Sequence, residues 1–330
     1  MSYTKERRAA IESLLIASEF CDRVQKTVKG ADVCKKRDCS PVSIADYGSQ
    51  AIISIMLANA FPQDPILGEE DIDLLYRRPE MRREVFRSTR DYIPGAKEDE
   101  VLHAIDRCSR PKNFADRFWT LDPIDGTKGF LQKRHYAIAL SLIEEGEVVL
   151  GVLACPNLGS CLHSFDEGSI YIAVKGEGAF MRFIHSAKEI PLRVSRNEKL
   201  SRTVICASPN PSHTNMDQIS SLARSFESIY SPIHVHSQCK YALVARGVAS
   251  LYYRLPVKEG YKEKIWDHAA GAILLEESGG IVTDCNGCPL NFSRGVFLDE
   301  NYGIVATTSS LYEPVLSQIK RNLRNNGEKV

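Results

Sequence analysis

The residues best able to do chemistry in this chain lie in WTLDPIDGTKGF, from Trp119 to Phe130, where two carboxylates, a turn and a hydroxyl follow an apolar run. Asp122 and Asp125 are separated by Pro123 and Ile124. The proline fixes its own φ and keeps Asp122 out of helical geometry, so the backbone is expected to turn between the acids and let both carboxylates face one point. Gly126 permits close backbone approach, Thr127 supplies a hydroxyl, and amides exposed after such a turn attract an anion. The segment reads as a site for a cation and a phosphate side by side. A second acidic group, Glu69, Glu70 and Asp71, follows the strand-like Ile66 and Leu67 in ILGEED. Asp267, in KIWDHAAGAILLEESGG, opens a helical pattern of Ala269, Ala270, Ile273 and Leu274 that closes on Gly279 and Gly280 as a C-cap.

Taken singly, each group has a plainer account. Asp-Pro-Ile-Asp-Gly alone is ordinary turn chemistry with solvated carboxylates, and Asp267 alone is a helix cap. Together they impose a cost. Two like charges about 4 Å apart at an effective dielectric near 20 repel by roughly 4 kcal/mol, so a converged cluster needs cations. Oxygen ligands with few histidines nearby, beside a phosphate-sized pocket, suit Mg²⁺ better than Zn²⁺.

In chain order, GEE, DPIDGT and WDHAAG resemble the three motifs of the inositol monophosphatase superfamily of Mg²⁺-dependent, lithium-sensitive phosphomonoesterases. Within it, KKRDCSPVSIADYGSQA, DPIDGTKGF, RLP and KIWDHAAG most resemble the 3'(2'),5'-bisphosphate nucleotidases, which convert adenosine 3',5'-bisphosphate to AMP and phosphate. The resemblance runs from the first helix through Asp284. It implies that Glu69, Asp122 and the Ile124 carbonyl bind one Mg²⁺, that Asp122, Asp125 and Asp267 bind a second, and that a third, weaker ion lies near Asp46 and Glu69. Asp46, in SIADYGSQ, matches the carboxylate that acts with the DPIDGT threonine, here Thr127, on the attacking water. Hydroxyl and carboxylate together can orient that water and accept its proton. Asp46 is also placed to N-cap the helix containing Ala51, Ile52 and Ile55, and the two roles can coexist.

The amides of Gly126 and Thr127 are implied to hold the transferred phosphate, with Asp267 also facing substrate. Ser237, Lys240 and Arg254 match positions that the subfamily uses for the second phosphate, where a guanidinium can make two parallel hydrogen bonds. Either cation could instead be a surface charge. His213 is the remaining candidate, although CASPNPSHTNM departs from the pattern expected around it. Tyr252, Tyr253 and Tyr261 could offer a face to adenine or could pack in the core or rim. Inhibition by Li⁺ is implied, with Na⁺ a second candidate inhibitor, and 3'-phosphoadenylyl sulfate and inositol 1,4-bisphosphate are expected side substrates. Two rivals stand beside the nucleotidase: an inositol phosphate phosphatase and a non-catalytic nucleotide sensor. Asp46 and Thr127 argue against the sensor, which has no need to activate water.

Two kinds of architecture must position these residues. Residues 1–188 read as an α+β lobe carrying most metal ligands: helices at Lys5–Val28 and Asp46–Ala60, strands near Ile66 and Trp119, then hairpins turning at Glu145–Gly146 and Gly176–Gly178 in a mainly antiparallel sheet. Residues 189–330 alternate strands and helices as an α/β lobe carrying Asp267 and the substrate cations. The resemblance implies a layered αβαβα sandwich with the site between the lobes. Cys285-Asn286-Gly287-Cys288 is expected as a hairpin, and the arginines of YRRPEMRREVFRSTR as a solvated face or a basic lid.

Composition fits a small-molecule enzyme. Lys plus Arg and Asp plus Glu are both 42, a formal net charge of zero, which points away from a nucleic-acid polymer or anionic membrane as partner. The N-terminal stretch has no signal-peptide core and no run reaches membrane-span length, so a cytoplasmic protein is expected, as a monomer or weak homodimer. Ten cysteines without a secretory signal predict buried thiols rather than a disulfide framework.

Overall fold

A computed structural model describes residues 2–27, 33–36, 41–109, 116–161, 167–211, 215–256 and 260–325. The helices are α1 (Thr4–Thr27), α2 (Ile44–Ala60), α3 (Asp73–Arg77), α4 (Pro79–Thr89), α5 (Glu98–Ser109), α6 (Thr127–Leu131), α7 (Met216–Ser225), α8 (Cys239–Ala245), α9 (Ala269–Glu277) and α10 (Tyr312–Asn325). Three groups of strands accompany them. β1 (Val33–Lys35) pairs with β2 (Pro41–Ser43). A seven-stranded sheet runs in the order β3 (Ile66–Gly68), β4 (Arg117–Asp125), β5 (Ala137–Glu144), β6 (Glu147–Cys155), β7 (Ser169–Val174), β8 (Gly178–Phe183) and β9 (Ile190–Pro191). Only β3 and β4 are parallel in it. The five-stranded sheet is mixed, ordered β11 (Ile233–His234), β10 (Ile205–Ala207), β12 (Leu251–Arg254), β14 (Ile304–Thr308) and β13 (Gly280–Thr283).

Side-chain alternation along the strands separates the layers, because successive residues point to opposite faces. In β7, Ile170, Ile172 and Val174 join a core with α1 and α2, whereas Tyr171 and Ala173 join a second core with α8 and α9. The second sheet divides the same way. Cys206, Tyr252 and Ala306 face α8 and α9, while Ile205, Tyr253 and Val305 face α7 and α10. The order is therefore helices, sheet, helices, sheet, helices, the expected αβαβα sandwich. The middle layer lies close: a Cβ on Gly151 of β6 would stand 2.5 Å from Ile273 Cγ2 and 3.0 Å from the Ala270 carbonyl. Any side chain there would push α9 off the sheet.

Both expected hairpins form, with Glu145 and Gly146 at positive φ in the β5–β6 turn and Gly176 and Gly178 in the β7–β8 turn. Cys285–Cys288 is a correction. It is a tight turn but joins no hairpin: the Asp284 carboxylate accepts the Asn286 and Cys288 amides at 2.9 and 2.8 Å, and β13 pairs with the distant β14. Only Gly287 has positive φ there, whereas a type I′ hairpin needs it at both central residues.

The arginine-rich segment lies largely in α3 and α4, and two of its arginines pair with carboxylates, Arg82 with Glu98 of α5 at 2.8 Å and Arg87 with Glu84 at 2.7 Å. No disulfide links the described cysteines, most of which are buried. No helix among the described residues is long and apolar enough to cross a membrane.

Candidate active site

A register irregularity brings the first two acids together. Asp122 pairs with Ala139 and Asp125 with Ala137, so three steps along β4 face two along β5. In a regular strand, residues three apart point to opposite faces; the extra residue of a bulge returns Asp125 to the side of Asp122. The expected turn is thus a bulge within a strand that continues to Asp125. It is held by the Ser49 hydroxyl donating to the Pro123 carbonyl at 3.1 Å and the Ile124 amide donating to Asp122 Oδ1 at 3.1 Å.

Parallel pairing of Gly68 with Leu121 then sets Glu69, whose amide donates to the Leu121 carbonyl at 3.2 Å, beside Asp122. Asp267 arrives from the other sheet's side, in a 3-10 turn at Ile265–Asp267. It is not the helix cap: His268 holds the N-cap position of α9, with no side-chain cap bond. Burial, then the charges of Glu69, Asp125 and Asp267, pushes Asp122 well above the ordinary carboxylate range. Burial and Asp125 push Asp267 to about 7. Asp125 is raised by burial, against the pull of Lys240 and the Gln238 amide that donates to its Oδ2 at 2.6 Å.

Asp46 sits on the first turn of α2, buried, one turn inside the cap rather than at it. Ser43 is the N-cap; its amide and hydroxyl donate to Asp46 Oδ2 at 2.8 and 2.7 Å, completing a capping box. Oδ1 is left to accept from the Thr127 hydroxyl at 3.2 Å. Burial raises this carboxyl to about 6, with Lys36 and the Ser43 bonds opposing. Thr127 opens α6 after Gly126, which has φ +86° and whose Cβ, if it had one, would lie 3.1 Å from Ser237 Cβ. Only glycine takes that conformation readily in so tight a space.

Lys36 was not singled out by sequence reasoning, and Glu70 was read only as a member of the second acidic group, with no role of its own. The Lys36 ammonium donates to Glu69 Oε1 at 2.8 Å and to Glu70 Oε1 at 2.6 Å. Glu70 is buried, its backbone clasped by the Gln50 side chain through bonds of 2.7 and 3.0 Å, and burial raises it to about 8 despite Lys36. Burial also acts to raise Glu69, but Lys36 and Lys264 outweigh it and leave that carboxyl lowered. The basic run KKRD next to SPVS was the available signal.

The second-phosphate candidates converge as well. Ser237 adopts φ +65° and Lys240 is buried, its ammonium donating to the Ser237 carbonyl at 2.6 Å and lying 5.0 Å from the Tyr252 ring centre. Arg254 pairs through Nε with Glu263 at 2.8 Å and donates from Nη2 to the Tyr261 hydroxyl at 3.2 Å. Neither is a surface charge. Tyr252 and Tyr253 are packed in the two cores, leaving Tyr261 as the exposed ring of the three. His213 lies outside the described residues.

Four carboxylates, a backbone carbonyl and no thiolate make a hard oxygen set, which fits Mg²⁺. A tighter trio, Glu263, Asp267 and His268, has ligand atoms all within 4.8 Å of one another. Two of its members are engaged elsewhere: Glu263 binds Arg254 and, at 3.1 Å, His268, whose other ring nitrogen meets the Tyr241 hydroxyl at 2.9 Å.

A sequence profile of the inositol monophosphatase family matches residues 2–324. The chain is 38% identical to the 3'(2'),5'-bisphosphate nucleotidase of Schizosaccharomyces pombe over 96% of its length and 95% of the relative's. It is 37% identical to the probable 3'(2'),5'-bisphosphate nucleotidase 4 of Arabidopsis thaliana, covering 98% and 96%. Among solved structures, the Thermotoga maritima IMPase superposes with a TM-score of 0.65 at 21% identity, covering 96% of this chain and 97% of that one. With its motifs, layering and near-complete match in agreement, the chain belongs to the inositol monophosphatase family.

Proposed function

We propose that the chain is a Mg²⁺-dependent phosphomonoesterase that hydrolyses the 3'-phosphate of adenosine 3',5'-bisphosphate to AMP and phosphate, with 3'-phosphoadenylyl sulfate as a further substrate. The observation that carries the reaction type is the Asp46–Thr127 hydrogen bond at 3.2 Å, between a buried carboxylate and a partly exposed hydroxyl beside the acid cluster. Glu69, Asp122, the Ile124 carbonyl, Asp125 and Asp267 would hold the ions. Bound there, Mg²⁺ supplies charge stabilisation to the attacking and leaving oxygens and makes water more acidic.

The chain's own residues do the rest. Thr127, fixed by Asp46, presents its hydroxyl oxygen to the water, and the Asp46 carboxylate takes the proton through that pair. The Gly126 and Thr127 amides orient the phosphoryl group. Lys240, buried beside Ser237, and the partly buried Arg254 receive the 5'-phosphate; desolvation strengthens each such contact. The names of the nucleotidase relatives support the same substrate.

Phosphate release from adenosine 3',5'-bisphosphate, AMP, inositol 1-phosphate and fructose 1,6-bisphosphate, with Mg²⁺ or a chelator, tests both halves. Preference for the first with loss under chelation is expected. Equal turnover of inositol 1-phosphate would favour the inositol phosphatase reading, and metal-independent release would end the mechanism. Li⁺ should inhibit by competing for a Mg²⁺ position with too little charge.

A further inference from the structure

Glu263 belongs to none of the roles above, yet it is a buried carboxylate, 4% exposed, between the second-phosphate cation and the Asp267 turn. Its backbone is held to the 296–298 segment: the Leu298 amide donates to the Glu263 carbonyl at 2.8 Å and, two residues on, the Ile265 amide donates to the Val296 carbonyl at 3.0 Å. Its two oxygens are divided. Oε1 lies 2.8 Å from Arg254 Nε as an ion pair without hydrogen-bond alignment, and Oε2 meets His268 Nε2 at 3.1 Å, with His268 Nδ1 held by the Tyr241 hydroxyl at 2.9 Å.

We propose that Glu263 is a positioning residue for the second phosphate: by engaging the Nε edge of Arg254 it aims the Nη edge at that group, and through His268 it fixes the subsite relative to the turn carrying Asp267. The inference rests on the nucleotide reading. A guanidinium is planar, so fixing one edge fixes the direction of its remaining N–H groups. Arg254 also donates to the Tyr252 hydroxyl and to the exposed Tyr261 hydroxyl, the latter at 3.2 Å, but Glu263 is the carboxylate that opposes its charge. Without Glu263 the guanidinium would be held by neutral hydroxyls alone, and its partly buried charge would lose the partner that offsets its desolvation. Because the second phosphate does not react, misalignment should appear in KM more than in kcat.

The test compares wild type, E263A and E263D on adenosine 3',5'-bisphosphate and on adenosine 3'-monophosphate, which lacks the second phosphate. E263A should raise KM for the bisphosphate about 10- to 100-fold, the scale of a misplaced binding group, with a much smaller change in kcat and in the monophosphate's kcat/KM. E263D keeps the charge but withdraws it by one methylene, so it should show the same pattern more weakly, and it serves if E263A does not fold. R254A/E263A should be no worse than R254A on the bisphosphate, as expected of residues acting as one unit. Equal losses on both substrates, or wild-type KM in E263D, would overturn the positioning role. Wild type showing no preference for the bisphosphate over the monophosphate would instead overturn the nucleotide reading, whatever the variants do.

Discussion

Asp46 divides its two carboxylate oxygens between a helix cap and the Thr127 hydroxyl, so its orientation is fixed before any substrate arrives. If the pair activates water as proposed, T127A should lower kcat by roughly 10²- to 10⁴-fold with little change in KM, measured by steady-state phosphate release. D46N should lose kcat on the same scale while keeping a capping acceptor; a D46N enzyme near wild-type rate would remove Asp46 from the mechanism. Asp122, Asp125 and Thr127 were legible only in combination: DPIDGT alone reads as an ordinary turn, and it signals a site when set beside GEE and WDHAAG. The pairing of Lys36 with Glu70 was not. Their importance comes from burial and from meeting across 34 positions of sequence, which no local pattern records.

At the scale of elements, the cap of α2 is part of the site. Removing the Ser43 hydroxyl in S43A should cost about 0.5 to 2 kcal/mol, by urea unfolding, and should also lower kcat, since Asp46 loses a donor that fixes its rotamer. Unchanged kcat in a destabilised S43A would separate cap from catalysis. Periodicity placed both long N-terminal helices to within two residues: Thr4–Thr27 against an expected start at Lys5, and Ile44–Ala60 against Asp46. The β4 bulge was not legible, because a proline between two acids signals a bend without saying whether the strand resumes; the pairing of Asp125 with Ala137 shows that it does. The Asn-Gly turn misled for the complementary reason. Turn chemistry is local, but a hairpin also needs a following strand that pairs, and β14 had already taken β13.

For the whole molecule, the acid cluster links stability to pH. Burial raises Asp46, Asp267 and Glu70 to about 6, 7 and 8, so the folded state favours their protonated forms. That contribution is whole below the ordinary carboxylate pKa near 4 and is lost as pH rises through the folded values, between about 6 and 8. Glu69 runs oppositely, lowered by Lys36. Chelated protein should therefore have a lower Tm at pH 8.5 than at pH 6, on the order of 5 °C if a few kcal/mol are involved, and Mg²⁺ should restore it most at the higher pH. A Tm flat with pH under chelation would mean that the carboxylates do not carry these shifts. The five layers were foreseen through family likeness; alternation within single strands, such as Ile205 outward and Cys206 inward, needs the pairing partners before it can be read.

Gln238 gives the architecture a practical consequence. Its amide holds Asp125, its side-chain nitrogen donates to the Trp266 carbonyl at 2.9 Å, and its side-chain oxygen accepts the Gly271 amide at 3.1 Å. One buried residue thus links Asp125 at the end of β4 to the 3-10 turn that carries Asp267. Turnover should then fail at denaturant concentrations that leave far-ultraviolet ellipticity intact, making the enzyme's rate an early gauge of loosening between its layers.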